Sequence, residues 1–386
     1  MKWYKSIISF MIVFTLIFSI SLINAHAEMP FSINAKSAIL IDQSTGKILY
    51  EKNIHEALPP ASVTKIMTML LAMEALDSNR ITLDDKVVIS EYASSMGGTQ
   101  LYLEPGEIKT VEELMKGLVI RSANDAAVAI GEYIAGTEEM FVQKMNERAK
   151  ELGMEDTNFV NSNGLPAEGH VTSAYDVAQM SRELLKHDGV KGWLTTWMDT
   201  VVVGKNQSEQ QLVNTNRLIR FYDGATGVKT GYTNDAKHCL SASATRGNNS
   251  FIAVVLAAPS SQIRFDEASK LLDYGFANFN TVEIVKKSAS VGKIQVQKGK
   301  EVEIDGVALD DLKVLVNKGD EGKVKKEVII PQYIQAPMEK GEKIGEVIVT
   351  IDGTEVNRVD IVTPEEIEKA SILDILSRMF KRFAGN

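Results

Sequence analysis

Hydrophobic and polar positions alternate in a way that predicts a mostly antiparallel sheet into which a long helical segment is inserted. Residues 36–52 have the pattern of a β-hairpin around a polar turn at 42–46. After Pro59-Pro60, the stretch from Ala61 to about Asp77 is apolar on nearly every helical face, which predicts a buried helix. Further helices are predicted at Val111–Ile120, Asn124–Ala135, Glu138–Glu151 and Ala174–Leu185, then strands at Val228–Thr233, His238–Arg246 and Phe251–Ala257 and a last helix from Ser261 to Ala277. This order predicts an α+β fold in which helices flank an antiparallel sheet and form a helical lobe.

The pattern changes at about residue 280. Short apolar runs of strand length, separated by glycine and charged turns, predict a small all-β domain over residues 280–363. The larger first domain then covers residues 28–279, and every candidate catalytic motif described below falls within it.

Residues 364–386 predict an amphipathic helix. Apolar residues recur on one face and basic residues lie elsewhere around the helix: Ile372, Ile375, Leu376, Met379, Phe380 and Phe383 against Arg378, Lys381 and Arg382. Such a helix lies on a membrane with its apolar face in the lipid and its basic residues near anionic headgroups. We therefore expect contact with a membrane surface here, and a helix packed on the β-domain is the alternative.

The first 27 residues have the features of a signal peptide. Lys2 and Lys5 precede an apolar stretch from Ile7 to Ile23, and Ala25-His26-Ala27 matches the small-residue cleavage pattern. Cleavage after Ala27 would export the protein to the outer face of the cytoplasmic membrane or the cell-wall space. An uncleaved anchor helix is the alternative.

Composition excludes several functional classes. The formal net charge of −9 argues against a nucleic-acid partner, because phosphate neutralisation needs clustered lysine and arginine. The five histidines are scattered without zinc-ligand spacing, so no metal is expected, and nothing implies an organic cofactor. The single cysteine, Cys239, cannot form an internal disulfide. Its apolar strand-like context predicts burial, whereas a Cys239–His238 nucleophile pair is disfavoured because adjacent strand residues point to opposite faces.

The first candidate catalytic motif is Ser62-Val63-Thr64-Lys65 at the start of the buried helix. Residues three apart share a helix face, so the Ser62 hydroxyl and the Lys65 amine can meet. A serine hydroxyl is a weak nucleophile and needs a base beside it. Lysine can serve as that base only if its pKa is lowered, which burial and a second nearby cation both do.

Two further motifs complete a set. Ser122-Ala123-Asn124 follows an apolar run and precedes a predicted helix, and Lys229-Thr230-Gly231 lies on a predicted strand. The first two motifs are weak signals when each is taken alone. Their order and their placement at a helix start, a loop and a strand give the combination its specificity.

On these residues the chain resembles the active-site-serine penicillin-binding family, which includes the β-lactamases. Within it, the match is to low-molecular-weight D-Ala-D-Ala carboxypeptidases similar to penicillin-binding protein 5. The stretches that carry the resemblance are Leu58 to Thr68, Asn124-Asp125-Ala126-Ala127 and Gly224 to Thr233. The β-rich second domain and the amphipathic tail also match. The chain most resembles the Gram-positive, sporulation-associated branch.

The resemblance implies a role for each site residue. Ser62 would attack the carbonyl between two D-alanines of a peptidoglycan stem peptide, and Lys65 would take its proton. Ser122 would relay a proton to the leaving D-alanine, and Asn124 would bind Lys65 and the substrate amide. Lys229 would supply positive potential near Ser122 and the substrate carboxylate, and Thr230 would hydrogen-bond that carboxylate. Gly231 would leave room for a substrate strand. The backbone N–H groups of Ser62 and Tyr232 would form the oxyanion hole. A β-lactam would acylate Ser62 as a substrate mimic.

Other positions are left with open alternatives. Arg264 either lies near the carboxylate pocket or is a surface helix arginine. Asn161, Asn163 and Gly164 are interpreted as a structural turn, and Ser90–Glu107 as a loop over the site.

Rival functions share the same motifs. A β-lactamase of the class with a Glu-activated water would carry a Glu-x-x-Leu-Asn pattern, and this sequence has none after Ser122. A DD-endopeptidase that cuts cross-links is harder to separate by sequence. A protein that only binds wall peptides is disfavoured by the intact Ser62, Lys65, Ser122 and Lys229.

Overall fold

The computed structural model describes residues 31–383, so the predicted signal peptide lies outside the described residues. Within these described residues, the first part of the chain contains nine strands: β1 (Ser37–Asp42), β2 (Ile48–Lys52), β3 (Lys86–Val88), β4 (Ile108–Thr110), β5 (Met198–Val203), β6 (Ser208–Val213), β7 (Ala225–Thr233), β8 (Lys237–Arg246) and β9 (Asn249–Ala258). Five of them form an antiparallel sheet in the order β2-β1-β9-β8-β7. The strand β7 therefore lies at a sheet edge.

Helices form a lobe beside this sheet and cover its faces. They are α1 (Lys65–Asp77), α2 (Glu91–Ser94), α3 (Val111–Lys116), α4 (Asn124–Ala135), α5 (Glu138–Glu151), α6 (Ala174–Leu184), α7 (Asp188–Thr195), α8 (Leu218–Phe221) and α9 (Ser261–Asn278). A 3₁₀ turn, Ala61–Thr64, leads directly into α1. Helix α1 is buried on nearly all sides, with Ile66, Met67 and Leu70 fully enclosed, and it packs against α4 and α6. The predicted buried central helix is thus present, with its first four residues in the tighter 3₁₀ form.

The structure corrects the prediction of one helix over Val111–Ile120. Helix α3 ends at Lys116, and a π-helical turn, Gly117–Arg121, continues the segment. The π turn ends at Ser122, whose backbone is left-handed with φ 69° and whose N–H donates to the Gly117 carbonyl. The wider turn allows the chain to reverse before α4, with Ser122 at the corner.

The hairpin β5–β6 and helix α7 were not predicted. Strand β6 carries the run Ser208-Glu209-Gln210-Gln211, which is too polar to have the alternation of a half-buried strand. The hairpin is held by a tertiary contact, because the buried Lys109 donates its ammonium hydrogen to the Val202 carbonyl.

The second part of the chain is an all-β domain, as predicted. Its strands are β10 (Phe279–Val285), β11 (Ser290–Gln297), β12 (Glu303–Ala308), β13 (Leu312–Asn317), β14 (Val324–Ile329), β15 (Tyr333–Gln335), β16 (Lys343–Ile351) and β17 (Thr354–Val362). Six form a sheet in the order β14-β16-β17-β12-β11-β15, and β10 pairs with β13. The domain has its own core, in which Val347, Val349 and Ile361 are fully buried.

A terminal helix, α10 (Ile372–Phe383), follows the β-domain. Ile372 and Leu373 are 78% and 77% exposed, and Ile375, Leu376 and Met379 are also exposed. Arg378 donates to the Gly299 carbonyl at 2.6 Å, which links the helix to the β-domain through its polar side. Across residues 31–383, no helix combines the length and the apolar character needed to span a bilayer.

Candidate active site

Ser62 lies in the 3₁₀ turn at the start of the buried helix. In a 3₁₀ turn, side chains three residues apart eclipse one another, so Ser62 and Lys65 come into line. The Lys65 Nζ is 3.0 Å from the Ser62 Oγ. Ser62 is half-buried, and Lys65 beneath it is fully buried. The half-buried Ser62 is thereby in hydrogen-bond contact with the fully buried amine of Lys65.

Lys65 has three hydrogen-bond partners in the part of the chain that the structure describes. Besides Ser62, its Nζ donates to Asn124 Oδ1 at 2.6 Å and to the Asn163 carbonyl at 2.5 Å. Amide oxygens only accept hydrogen bonds. In the neutral state the amine has two N–H groups for these oxygens, and its remaining lone pair is directed to the Ser62 hydroxyl. The neutral lysine is thus positioned to remove the serine proton.

Burial lowers the pKa of Lys65 well below its usual value, and the positive charge of Lys229 lowers it further. The buried carboxylate of Asp125 acts in the opposite direction. Burial also lowers the pKa of Lys229 to about 7, with a further contribution from the charge of Arg264. Burial and the neighbouring charge of Lys229 therefore both favour the neutral state of Lys65.

Asn124 connects the nucleophile to the loop over the site. Its Oδ1 accepts from Lys65, and its Nδ2 donates to the Gly97 carbonyl at 2.7 Å. Its backbone N–H donates to the Thr99 carbonyl. The predicted contact between Asn124 and Lys65 is therefore present, and the segment Ser90–Glu107 does reach the site.

Asp125 fixes that loop from below. Its buried carboxylate accepts from the backbone N–H groups of Leu101 and Leu103 at 3.0–3.1 Å. Burial nevertheless raises its pKa, because desolvation outweighs these hydrogen bonds. The loop and the second motif therefore form one hydrogen-bonded unit.

Ser122 and Lys229 are both buried, at 5% and 1% exposure. Within residues 31–383, no hydrogen bond joins the two side chains: the Lys229 Nζ donates to the Thr230 carbonyl at 3.2 Å. The charge of Lys229 also lowers the pKa of Lys65. The positive potential that Lys229 is expected to supply near Ser122 stays a prediction.

The third motif lies on the edge strand β7 directly beside the nucleophile. A Cβ on Gly231 would lie 3.1 Å from the Pro60 carbonyl oxygen and 3.1 Å from the Ser62 nitrogen. A side chain at this position would crowd the Ser62 turn, so glycine suits the close approach of the strand. The substrate space expected at Gly231 from the sequence stays a prediction. Thr230, next to it, donates its hydroxyl to Thr215 Oγ1 at 2.7 Å.

Arg264 is buried, so its interpretation as a surface helix arginine is wrong. Its guanidinium donates to the Gly231 carbonyl at 2.9 Å and to the Cys239 carbonyl at 3.3 Å. Burial lowers its pKa to about 10, and the charge of Arg217 contributes. Arg264 thus stabilises β7 from behind and adds positive potential to the site.

Tyr232 follows Gly231, and its side chain is 54% exposed. Its ring stacks on His238 with centroids 4.5 Å apart, and its hydroxyl donates to Asn234. Cys239 is buried and burial raises the pKa of its thiol to about 11, which agrees with the predicted inert packing role.

The turn at Asn161, Asn163 and Gly164 was predicted to be structural only, and this was incomplete. Its Asn163 carbonyl accepts from Lys65, and the neighbouring Ser162 carbonyl accepts from Thr68 at 2.6 Å. Both contacts are made by backbone carbonyl oxygens. Every residue type has such an oxygen, so these contacts could not be predicted from residue identity. Arg217, whose charge lowers the pKa of Arg264, was also missed, because its position between Asn216 and Leu218 gave no distinct signal.

Gly164→Ala is expected to disable the site. Gly164 has φ +85°, and a Cβ there would lie 1.9 Å from the Ala61 carbonyl oxygen and 2.9 Å from the Ser62 nitrogen. We expect acylation by a penicillin to slow by at least about tenfold, since small displacements of reacting groups are costly.

Gly153→Ala is the matched control for this change. Gly153 also has a positive φ, of 70°, but open space surrounds its Cβ position. This variant should lose only about 1 kcal/mol of folding stability, the cost of placing a non-glycine residue in the left-handed region. Equal acylation rates in the two variants, measured by stopped-flow with a fluorescent penicillin, would contradict the assigned contact.

In residues 31–383, no three His, Cys, Asp or Glu side chains are arranged to hold a metal ion. The site is built instead from a serine, two buried lysines, an asparagine and a second serine. A serine in contact with a buried lysine is the arrangement typical of the active-site-serine hydrolases that use no histidine.

Comparison with known proteins agrees with this class. Residues 23–260 match the peptidase S11 family, D-alanyl-D-alanine carboxypeptidase, and residues 279–369 match the penicillin-binding protein 5 C-terminal domain. The chain belongs to the D-alanyl-D-alanine carboxypeptidases of peptidase family S11, and it is a serine-type carboxypeptidase. The predicted family, fold and reaction are thereby confirmed.

Individual relatives cover nearly the whole chain. The D-alanyl-D-alanine carboxypeptidase DacF of Bacillus subtilis is 46% identical over 89% of this chain and 88% of its own length. DacC of Escherichia coli is 33% identical over 93% and 91%. Among solved structures, penicillin binding protein 5 from Haemophilus influenzae superposes with a TM-score of 0.71 at 30% identity, over 88% of this chain and 99% of that one.

Proposed function

We propose that Ser62 is the covalent nucleophile of this carboxypeptidase and that Lys65 is its base. The main support for this proposal is that the Lys65 amine is fully buried and hydrogen-bonded to the Ser62 Oγ at 3.0 Å. The Ser62 oxygen attacks the carbonyl between two D-alanines while its proton passes to Lys65. The backbone N–H groups of Ser62 and Tyr232 stabilise the oxyanion.

Collapse of the tetrahedral intermediate breaks the C–N bond. Ser122 donates its hydroxyl proton to the leaving D-alanine nitrogen. Lys65 then passes the proton that it took from Ser62 to Ser122. Water then attacks the ester with Lys65 again as base, and the shortened stem peptide leaves. Asn124 positions Lys65 and the substrate amide throughout.

The substrate carboxylate is proposed to lie at Thr230, in the positive potential of Lys229 and Arg264. Its support is geometric: the Thr230 hydroxyl lies on the edge strand beside Ser62, and Arg264 is bonded behind the same strand. The substrate backbone would extend along the open edge of β7 as an added strand. A β-lactam would occupy the same position and acylate Ser62.

The experiment that tests this function is D-alanine release from defined peptides. We expect release from a peptide ending in D-Ala-D-Ala, with no release when the final residue is L-alanine. A cross-linked dimer is expected to react at least about tenfold more slowly. Faster cleavage of the cross-link would favour the endopeptidase alternative, and rapid penicillin turnover without D-alanine release would favour a β-lactamase.

The location of the protein is part of the same proposal. The signal-peptide pattern of residues 1–27 supports export, and the exposed apolar residues Ile372, Leu373 and Leu376 of α10 support binding to the outer surface of a membrane. Loss of vesicle binding on deletion of residues 371–386 would be the supporting measurement, and unchanged binding would contradict it. A role in sporulation remains a prediction from the resemblance to that Gram-positive branch.

A further inference from the structure

A cavity of about 440 Å³ opens beside the nucleophile turn. One wall is formed by Pro60 and Ala61, a second by residues 164–171, and a third by Thr233 and Asp235. Ala61 immediately precedes Ser62, and Thr233 ends the edge strand β7. The cavity therefore continues the groove in which the proposed function places the substrate.

The direction of the bound peptide brings its upstream residue to this cavity. With the substrate carboxylate at Thr230 and the scissile carbonyl at Ser62, the chain runs along β7 away from Thr230. Each residue of an extended strand spans about 3.3 Å. The residue that precedes the two D-alanines would then lie beside Thr233 and Asp235.

The charge of the cavity is of one sign. Glu168 and Asp235 are its acidic side chains, both are exposed, and neither has an ion pair or hydrogen bond among residues 31–383. Among the residues that the structure describes, no lysine or arginine lines the cavity. Leu165 and Pro166 add apolar surface against which a methylene chain can pack.

His170, the remaining titratable residue of the lining, does not offset this charge. It is buried, and its two ring nitrogens are already bonded: Nε2 lies 2.8 Å from the Thr64 hydroxyl, and Nδ1 accepts from the Val160 N–H at 2.8 Å. Burial lowers the pKa of His170 to about 4, so the ring is neutral at physiological pH. The cavity is thus acidic, with an apolar wall.

We propose that this cavity binds the side-chain amine of the residue that precedes the two D-alanines, and that Glu168 and Asp235 select stem peptides in which this amine is free. The inference rests on the proposed function. A diamino acid supplies such an amine, and in a cross-linked stem the amine is acylated and carries no charge. The enzyme would therefore prefer stems that have not accepted a cross-link.

The test compares two peptides, acetyl-lysyl-D-Ala-D-Ala with a free lysine amine and the same peptide with that amine acetylated. We expect kcat/KM to be about 3- to 10-fold higher for the free amine at low salt, the modest size typical of exposed charge pairs. The preference should decline with added salt, because exposed charges are screened. Equal rates for the two peptides would overturn the proposal.

The double variant Glu168→Gln, Asp235→Asn is expected to bring the ratio between the two peptides close to one. The matched control is Glu365→Gln, Glu366→Gln, which removes the same charge from exposed positions in the β-domain and should keep the ratio. A variant in which both peptides slow equally would indicate a structural role and would also overturn the proposal.

Two natural diamino acids have this side-chain amine: lysine, and a diamino dicarboxylic acid that has a carboxylate next to the amine. Two further peptides distinguish between these amino acids. Both contain the diamino dicarboxylic acid, one with the side-chain carboxylate free and the other with it amidated. The peptide with the free carboxylate should react more slowly than the peptide with the amide, because Glu168 and Asp235 would repel a negative charge. The reverse order would contradict the assigned role of these two carboxylates. Penicillin adduct formation on Ser62 is followed in parallel. Its absence would remove the proposed function itself, whereas a normal adduct without amine preference would remove only this inference.

Discussion

The variant Lys65→Met is expected to react with a penicillin about 10²–10⁴ times more slowly than the native protein, the usual contribution of a positioned general base. Methionine is unbranched and fits a buried site of similar length, but it has no lone pair on nitrogen for the Ser62 proton. Acylation rates are measured by stopped-flow fluorescence, with thermal unfolding as a check on the fold.

The variant Lys47→Met is the control for this change, because it removes a lysine from an exposed position outside the site. Its acylation rate should match that of the native protein. A Lys65→Met protein that folds and reacts within about threefold of the native rate would show that another group removes the serine proton.

The second large effect is expected from Lys229→Gln, and it is best seen in a pH profile. Burial and the positive charge of Lys229 lower the pKa of Lys65. The base is active only when neutral, so the acylation rate rises with pH through this lowered pKa and then levels off. Removing the Lys229 charge raises the pKa of Lys65 and moves the rising limb to higher pH. At a pH on that limb, the rate falls about tenfold for each unit of the shift.

Lys237→Gln removes an equal charge from an exposed residue that follows the same edge strand. It should leave the position of the rising limb unchanged. A Lys229→Gln profile with a lower plateau but an unmoved limb would mean that Lys229 acts on the substrate carboxylate alone and not on Lys65.

The sequence was sufficient for the parts of the site that depend on local spacing. Ser62 and Lys65 are three residues apart on one turn, so their contact follows from helical geometry. Asn124 and Lys229 were found because their motifs occur in the family order. Helices α4 and α5 were also predicted with their correct bounds, since both have a clear apolar face and well-defined ends.

Contacts made by backbone groups or through tertiary packing could not be predicted in this way. The Asn163 carbonyl binds Lys65 whatever its own side chain is, so residue identity gives no signal. The substrate space expected at Gly231 stays a prediction, whereas the close approach of Gly231 to the Ser62 turn is a tertiary contact that local spacing does not reveal. The hairpin β5–β6 depends on Lys109 from a distant strand, and its own sequence is too polar to reveal it.

The central claim, a covalent serine assisted by a buried lysine, is tested most directly by intact-mass analysis of the protein with a penicillin over time. We expect a stable adduct of one drug mass that maps to the peptide containing Ser62, and no adduct in a folded Ser62→Ala variant. An adduct on another residue, or an unchanged mass with intact drug in the native protein, would contradict it.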